Sequence, residues 1–165
     1  HFTGPGWDRN ACWLNPSVPV CWWDQVLCNT TTWRVRQLRL ASNTLQGTLP
    51  GGMSTLSGLQ DFQVGFNPEL TGPIPPEFGK LSSLERFYAW NASITSVPAE
   101  FGELSSLLAV DLTDNQLEGA LPAALSKLVT TNTAYFDGNP KLECPVAPAV
   151  EKWLHSVEFR AEPCA

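Results

Sequence analysis

Apolar and polar positions alternate in short blocks that recur along the whole chain. In residues 36–43, Leu38 and Leu40 alternate with the polar or small residues Gln37, Arg39 and Ala41. This alternation predicts a short β-strand with one buried face. Similar blocks begin at five positions: Val35, Leu59, Leu84, Leu107 and, more weakly, Thr131. Each of the first four blocks is followed by a turn that ends in proline: Pro50, Pro75, Pro98 and Pro122.

The blocks are spaced by 24, 25, 23 and 24 residues. A period in this range, with the pattern L-x-x-L-x-L-x-x-N, is typical of a leucine-rich-repeat solenoid, in which each coil contributes one strand and a return path. A single coil cannot bury its apolar face, whereas stacked coils can. The 165 residues, 43% of them apolar, are sufficient for one elongated domain with a continuous core.

A polar residue closes most of the predicted strands. Asparagine recurs at the ninth position of the repeat, at these residues: Asn43, Asn67, Asn115 and Asn139. We expect their amides to turn inward and bond the backbone of neighbouring coils, as a structural ladder. The third coil has Ala92 at this position and a turn one residue shorter, so we expect the ladder to be interrupted there.

The motif at residues 70–84, LTGPIPPEFGKLSSL, resembles the L-x-G-x-I-P-x-x-F/L-G-x-L-x-x-L consensus of the plant-type extracellular leucine-rich-repeat family. Residues 21–28, CWWDQVLC, are similar to the C-x-W-x-G-V-x-C cap of that family, with Gln25 in place of glycine and Trp23 as the core cap residue. The match covers roughly residues 21–145. The resemblance implies a right-handed α/β-type solenoid with parallel strands on the concave face and loop or 3-10 returns on the convex face.

The resemblance also implies a secreted or ectodomain location and a recognition surface rather than an enzyme. We divide the chain into a Cys- and Trp-rich amino-terminal cap at 1–34, about four and a half repeats at 35–143, and a carboxyl-terminal cap at 144–165. Because the chain begins at His1, we expect a mature form from which a signal peptide has been removed.

Five cysteines in an extracellular protein indicate a disulfide framework with one residue left over. The cap resemblance implies a Cys21–Cys28 bond, and we expect Cys144–Cys164 to close the carboxyl-terminal cap. Cys12 is then either a buried or modified thiol or a covalent link to another chain, unless it pairs with Cys21 or Cys28. No histidine accompanies the cysteines at ligand spacing, so we expect no metal site.

The chain is poor in charge, with 16% charged residues against roughly 25% in an average globular protein. We therefore expect attached sugars or neighbouring molecules to cover part of its surface. Its net charge of -6 disfavours binding to nucleic acid or anionic membranes. No apolar run approaches the roughly 20 residues that cross a bilayer, so we expect no direct membrane insertion.

Two sequons predict N-linked glycans at Asn29, on the loop that leaves the amino-terminal cap, and at Asn91, at the end of the third strand. Aromatic residues gather in two regions. Five of the seven tryptophans precede residue 34: Trp7, Trp13, Trp22, Trp23 and Trp33. They either pack the open end of the solenoid or form a surface that meets another subunit or ligand.

The second region is the outward side of the middle strands. Its candidate binding residues are Gln63, Phe66, Tyr88, Trp90, Asp111 and Tyr135. Exposed aromatic rings on a sheet are typical of protein interfaces and sugar-stacking platforms. The alternative is that Phe66 and Trp90 only shield neighbouring coils.

We expect no enzyme and no cofactor. The acids Asp111 and Asp114, and Glu85 beside Asp61, are assigned to exposed repeat positions where charges solvate a surface. The two histidines lie at opposite ends of the chain, so no Ser/His/Asp or Cys/His set is supported.

Two functions remain. The first is a recognition module that binds a protein, peptide or polysaccharide through the strand face. The second is a self-assembling structural subunit of an extracellular matrix or filament, which the low charge, the short amino-terminal cap and Cys12 favour. The family resemblance favours the first.

Overall fold

A computed structural model describes residues 16–158 of the chain. The strands are β1 Val26–Cys28, β2 Val35–Arg39, β3 Gly47–Thr48, β4 Asp61–Gln63, β5 Leu70–Gly72, β6 Arg86–Tyr88, β7 Ser93–Ile94, β8 Ala109–Asp111, β9 Glu118–Gly119, β10 Thr133–Tyr135 and β11 Lys141–Leu142. The 3-10 helices are η1 Val20–Trp22, η2 Gly51–Thr55, η3 Pro76–Lys80, η4 Ala99–Glu103 and η5 Ala123–Lys127, and the α-helix α1 is Pro148–Leu154.

The main sheet of this described part has six strands in the order β1-β2-β4-β6-β8-β10. Strand β1 runs antiparallel to β2, and the remaining neighbours are parallel. Two smaller sheets, β3-β5-β7 and β9-β11, follow the turns after the main strands. The coils that begin with β2, β4, β6 and β8 therefore each contribute one strand to the main sheet and return through a 3-10 helix, as the repeat pattern predicts.

The core is a column of apolar side chains between the main sheet and the 3-10 helices. Leu38 lies opposite Phe62, and Phe62 lies opposite Phe87, because the strands pair in register. The Phe87 ring also contacts Phe101 of η4, with ring centroids 5.3 Å apart. All four side chains are buried, so each coil is stabilised by the coils on either side of it.

The return helices stack closely because a glycine follows the phenylalanine in two of them. A Cβ atom at Gly79 would clash with the carbonyl oxygen of Glu100, and one at Gly102 would clash with that of Ala124. The conformational freedom of glycine is not what matters here. The missing side chain allows η3, η4 and η5 to approach one another, which explains the glycine in the repeat consensus.

The asparagine side chains of the ladder turn inward and bond neighbouring coils, as expected from the sequence. Asn67 Nδ2 donates to the carbonyl oxygens of Leu40 and Val64, at 2.9 and 2.7 Å. Its Oδ1 accepts the backbone N–H groups of Asn43 and Leu45, at 3.0 and 2.9 Å. One buried amide thus joins two coils, and satisfies backbone groups that would be costly to leave unpaired.

The ladder is interrupted in the third coil. Ala92 is buried at the ladder position and has no amide to contribute. Asn115 resumes the pattern in the next coil, where its Oδ1 accepts the N–H of Ile94 and its Nδ2 donates to the carbonyl oxygen of Ala89. Asn139 repeats it again, with its Oδ1 accepting from Leu117. Strand pairing continues through the interruption.

The carboxyl-terminal end of the sheet is covered. Trp153 of α1 is buried, and its Nε1 donates to the carbonyl oxygen of Leu128 at 3.0 Å. Glu158 continues the cap along β10, where its carbonyl oxygen accepts from the N–H of Ala134 at 2.9 Å. Cys144 is disulfide-bonded, and its predicted partner Cys164 lies outside the described residues.

The amino-terminal cap is held by the Cys21–Cys28 disulfide. Trp23 packs against the core, and its Nε1 donates to the carbonyl oxygen of Val18 at 3.1 Å. By contrast, Trp22 and Trp33 are 71% and 67% exposed. Cys12, Trp7 and Trp13 lie outside the described residues, so the expectations about them stay predictions, as do the three domain boundaries.

Candidate binding surface on the strand face

The outward side of the main sheet, here called the strand face, contains a depression of about 600 Å³. Its lining residues are Gln63, Phe66, Tyr88, Trp90, Asp111, Thr113, Asp114, Thr133 and Tyr135. All six residues that the sequence nominated are therefore brought together. Thr113, Asp114 and Thr133 were not nominated, although the strand alternation applies to both threonines and Asp114 occupies the same repeat position as Phe66.

One row of the depression crosses four strands at the same height. Gln63 of β4 lies opposite Tyr88 of β6. Tyr88 lies opposite Asp111 of β8, and Asp111 lies opposite Tyr135 of β10. Because residues in register on parallel strands are neighbours on the same face, a carboxylate stands between two tyrosine rings.

Trp90 forms the centre of an aromatic cluster at the turn end of these strands. Its ring meets Tyr88 and Phe66 edge-on, with centroids 5.9 and 5.8 Å apart. The Trp90 ring also covers Gly65, where an added Cβ would lie 2.6 Å from the ring. Trp90 thus shields the neighbouring coil in part, whereas Phe66 remains 51% exposed.

The strand face has an arginine side, made of Arg39, Asp61 and Arg86. Asp61 lies 3.7 Å from each of the two guanidinium groups and accepts a hydrogen bond from Gln63 Nε2 at 2.9 Å. Its exposure is only 3%. The expectation that Asp61 occupies an exposed position was wrong, because the long arginine side chains of the two neighbouring strands close over it.

The strand face also has an acidic side, made of Asp111, Asp114 and Asp137. Asp111 Oδ1 accepts the backbone N–H of Thr113 at 3.0 Å, and the Thr113 hydroxyl donates to Asp137 at 3.2 Å. The ion pairs among the described residues involve Asp61, Glu85 and Glu103 as acids. Within residues 16–158 the acidic side therefore has no basic partner, and its negative charge is available to a ligand.

The two sides influence the phenol of Tyr88. Burial raises the pKa of Tyr88 above 10.0, and the negative charges of Asp61 and Asp111 act in the same direction, while Arg86 opposes them. The phenol is consequently protonated at neutral pH, where it offers one hydrogen-bond donor and one acceptor.

The side chains that line the depression carry aromatic, amide, hydroxyl and carboxylate groups. In residues 16–158, no group of three or more His, Cys, Asp or Glu side chains is arranged to hold a metal ion. His155 lies in the carboxyl-terminal cap, where its Nδ1 is 2.8 Å from the carbonyl oxygen of Glu151, and it takes no part in the depression.

Known proteins resemble the chain in both sequence and structure. A polygalacturonase inhibitor of Vitis vinifera is 36% identical over 75 residues, which are 46% of this chain and 22% of the relative. Receptor-like protein 6 of Arabidopsis thaliana is 31% identical over 110 residues, or 65% of this chain and 11% of the relative. No family model matches the chain.

Among solved structures, the leucine-rich-repeat ectodomain of the Arabidopsis thaliana receptor kinase GASSHO1/SCHENGEN3, in complex with CASPARIAN STRIP INTEGRITY FACTOR 2, superimposes with a TM-score of 0.84 at 26% identity. The match covers 92% of this chain and 18% of that one. The chain has the leucine-rich-repeat solenoid fold, and its sequence is similar to those of extracellular leucine-rich-repeat proteins of plants.

The predicted solenoid fold and extracellular location of this leucine-rich-repeat domain are confirmed by those relatives. The BIR3–SERK2 complex of Arabidopsis thaliana, at 24% identity and a TM-score of 0.76, has the same fold over 95% of this chain. The domain spans about a fifth or less of the length of the curated relatives named above. None of its helices within residues 16–158 is long and apolar enough to cross a membrane.

Both sequons of the leucine-rich-repeat domain lie at the surface. Asn29 is exposed, and its Oδ1 accepts the backbone N–H groups of Thr31 and Thr32. Asn91 is exposed directly after Trp90, in a turn with a φ of 50°. Glycosylation at either residue stays a prediction, and a glycan on Asn91 would stand beside the aromatic cluster.

Proposed function

We propose that this domain is an extracellular recognition module that binds a protein or peptide through the strand-face depression around Tyr88 and Trp90. The observation that carries the proposal is the gathering, in one depression, of partly exposed aromatic rings and of carboxylates that have no basic partner among residues 16–158. Rigid aromatic side chains supply large contact areas at low entropic cost, and they dominate the binding energy of many protein interfaces.

The relatives support this class of function. One is a polygalacturonase inhibitor, and a structural neighbour, the receptor ectodomain, was crystallised in complex with CASPARIAN STRIP INTEGRITY FACTOR 2. Another, the plant peptide hormone receptor RGFR1, was crystallised with RGF2. Recognition of a protein or peptide is therefore the best-supported function, and catalysis is not part of the proposal.

Site-directed photo-crosslinking tests the proposal. A photoreactive amino acid placed at Gln63, inside the depression, should capture a specific partner from the extracellular fluid of the organism that makes the protein. The same residue placed at Glu77, on return helix η3, serves as the matched control. Unmodified domain should compete for capture, and the Tyr88→Ala/Trp90→Ala variant should compete at least 10-fold less well. Equal capture from Glu77, or equal competition by the variant, would contradict the proposal.

A polysaccharide is the alternative ligand class, because aromatic rings also stack on sugars. Soluble plant polysaccharides added to the same crosslinking mixture distinguish the two. If they displace the Gln63 crosslink while proteinase treatment of the fluid leaves the ligand active, the ligand is a glycan. The N-linked glycans proposed at Asn29 and Asn91 would add polar surface to a chain that is poor in charge.

Self-association is a second candidate function, favoured by the exposed tryptophans of the amino-terminal cap. Trp22 and Trp33 are 71% and 67% exposed, and contiguous exposed apolar surface marks interaction sites in many proteins. Light scattering behind a sizing column should then show dimers or larger species that the Trp22→Ser/Trp33→Ser variant lacks. Reductant that dissociates them would implicate Cys12. A monomer at 100 μM protein would exclude self-association as a function at ordinary concentrations.

A further inference from the structure

One row of the depression holds a carboxylate and two tyrosines. Asp111 stands in one row between Tyr88 and Tyr135. Neighbouring strands are about 4.8 Å apart, so the two tyrosine strands are separated by about 10 Å with the carboxylate at the midpoint. A group held over Asp111 would therefore lie about 5 Å from each tyrosine strand.

No basic side chain of residues 16–158 forms an ion pair with Asp111 or Asp114. Asp111 accepts one backbone N–H, and Asp114 is exposed at the rim. Arg39 and Arg86, on the arginine side of the same face, are already paired with Asp61. A cation supplied from outside would meet a carboxylate below it and aromatic rings at its sides, which is a favourable setting for both a charge-assisted hydrogen bond and a cation–π contact.

We infer that the depression takes a lysine or arginine side chain of the partner, seated over Asp111 between Tyr88 and Tyr135, with Asp114 at the rim. This inference rests on the proposed function and names the chemistry of the ligand. The two flanking rings determine which kind of cation the site favours. A carboxylate alone would attract any cation, whereas a carboxylate with one aromatic ring on each side favours an organic cation. An anionic ligand group would meet repulsion at the same place.

Peptide selection provides the test. A random dodecapeptide library is displayed on phage and selected on the immobilised domain, with counter-selection on the Tyr88→Ala/Trp90→Ala variant. Selected peptides should be enriched in Lys or Arg. Replacing the enriched residue in a synthetic peptide, Lys by norleucine or Arg by citrulline, should weaken binding at least 10-fold. The Asp111→Asn/Asp114→Asn variant should bind the original peptide at least 10-fold more weakly.

The Glu77→Gln/Glu100→Gln variant is the matched control, because it removes the same charge from exposed positions on the return helices. It should bind the original peptide within twofold of the unaltered domain. Raising the salt concentration should weaken binding to the unaltered domain more than to Asp111→Asn/Asp114→Asn.

The outcomes separate this inference from the proposed function. Peptides that depend on Tyr88 and Trp90 but tolerate loss of their positive charge would overturn the cation site and leave the recognition function standing. If counter-selection on the Tyr88→Ala/Trp90→Ala variant removes every binding peptide, both are overturned. Equal loss of binding in the two charge variants would also overturn the cation site, since net charge alone would then be responsible.

Discussion

The arginine side and the acidic side of the strand face are built on the same backbone, yet they treat charge in opposite ways. On the arginine side, two guanidinium groups close over Asp61, which is 3% exposed. On the acidic side, Asp111 and Asp114 have no basic partner among the described residues. The charge of Asp61 is therefore neutralised by neighbouring arginines, whereas the charges of Asp111 and Asp114 are available to a ligand.

On a repeat surface, the two sides distinguish carboxylates that stabilise the fold from carboxylates that are available for binding. A buried carboxylate with two basic partners contributes to the stability of the coils that hold it, so its removal should lower the free energy of unfolding. An unpaired carboxylate at the rim of a depression contributes little to stability, so its removal should be felt in binding. Substitutions on the two sides should therefore separate stability from affinity.

The largest effect is expected for Asp61→Ala. Removing the carboxylate leaves two guanidinium groups facing each other and deprives Gln63 of its acceptor. We expect a loss of about 2–3 kcal/mol in the free energy of unfolding, below the full cost of breaking a buried ion pair, because Arg39 and Arg86 are 46% and 31% exposed to solvent. Urea denaturation measures this loss.

Asp61→Asn is the control, because it keeps an acceptor for Gln63 and removes only the charge. Its loss should be smaller than that of Asp61→Ala. A cost for Asp61→Ala no greater than that of Asp111→Ala would break the comparison, since it would make the two sides energetically equivalent.

The next effect concerns Gly65, which lies under the Trp90 ring near the boundary between the two sides. Gly65→Ala places a Cβ atom 2.6 to 2.9 Å from the ring atoms, so either the ring or the backbone must move. We expect a loss of about 1–2 kcal/mol in the free energy of unfolding. In a Trp90→Ala background, the same change should cost almost nothing because the obstacle is gone.

A double-mutant cycle with Gly65→Ala, Trp90→Ala and the double variant measures this coupling. A coupling energy near zero would show that the Trp90 ring moves aside freely. Trp90 would then be a mobile part of the depression rather than a rigid wall of it.

The architecture could be predicted from the sequence because the sequence pattern repeats. A period near 24 residues predicts the strands, and the position of Asn67 within the repeat predicts a side chain that faces the backbone of the neighbouring coil. The short turn and Ala92 predict the interruption of the ladder, since a methyl group offers no hydrogen bond. Outward positions on the strands likewise identify the six nominated residues of the depression.

The difference in charge pairing between Asp61 and Asp111 could not be predicted from the repeat pattern. Asp61 and Asp111 occupy comparable outward positions on their strands, and the repeat pattern treats both as solvated acids. Which of them is buried depends on whether the residues beside it on adjacent coils, 20 or more positions away in sequence, are long and basic. Asp61 has Arg86 opposite it in register, whereas Asp111 has tyrosine on both sides.

A small effect on stability is expected for Asp111→Asn and Asp114→Asn. In Asp111→Asn the introduced amide oxygen can still accept the N–H of Thr113, and Asp114 is exposed. Each change should alter the free energy of unfolding by less than about 0.5 kcal/mol. Thermal unfolding of the single variants checks this, with Asp61→Asn measured alongside. A loss above about 1 kcal/mol on the acidic side would mean that its carboxylates are structural.

The smallest effect is a pH dependence that appears only in alkali. The pKa of Tyr88 is raised above 10.0 by burial, with Asp61 and Asp111 adding to the shift and Arg86 opposing it. The folded protein thus holds the phenolic proton more tightly than the unfolded chain. The associated stability is complete below pH 10 and is lost as the pH rises through the folded pKa. Near neutral pH the phenol is protonated in both states, so it produces no slope there.

Phenolate absorbance near 295 nm measures this titration, and the chain has only two tyrosines, so Tyr88→Phe isolates the signal of Tyr88. The neighbours on the two sides should move the pKa in opposite directions. Asp111→Asn removes a nearby negative charge and should lower the pKa of Tyr88, whereas Arg86→Gln removes a positive charge and should raise it. Shifts of the same sign in both variants would mean that Tyr88 does not lie between two sides of opposite charge.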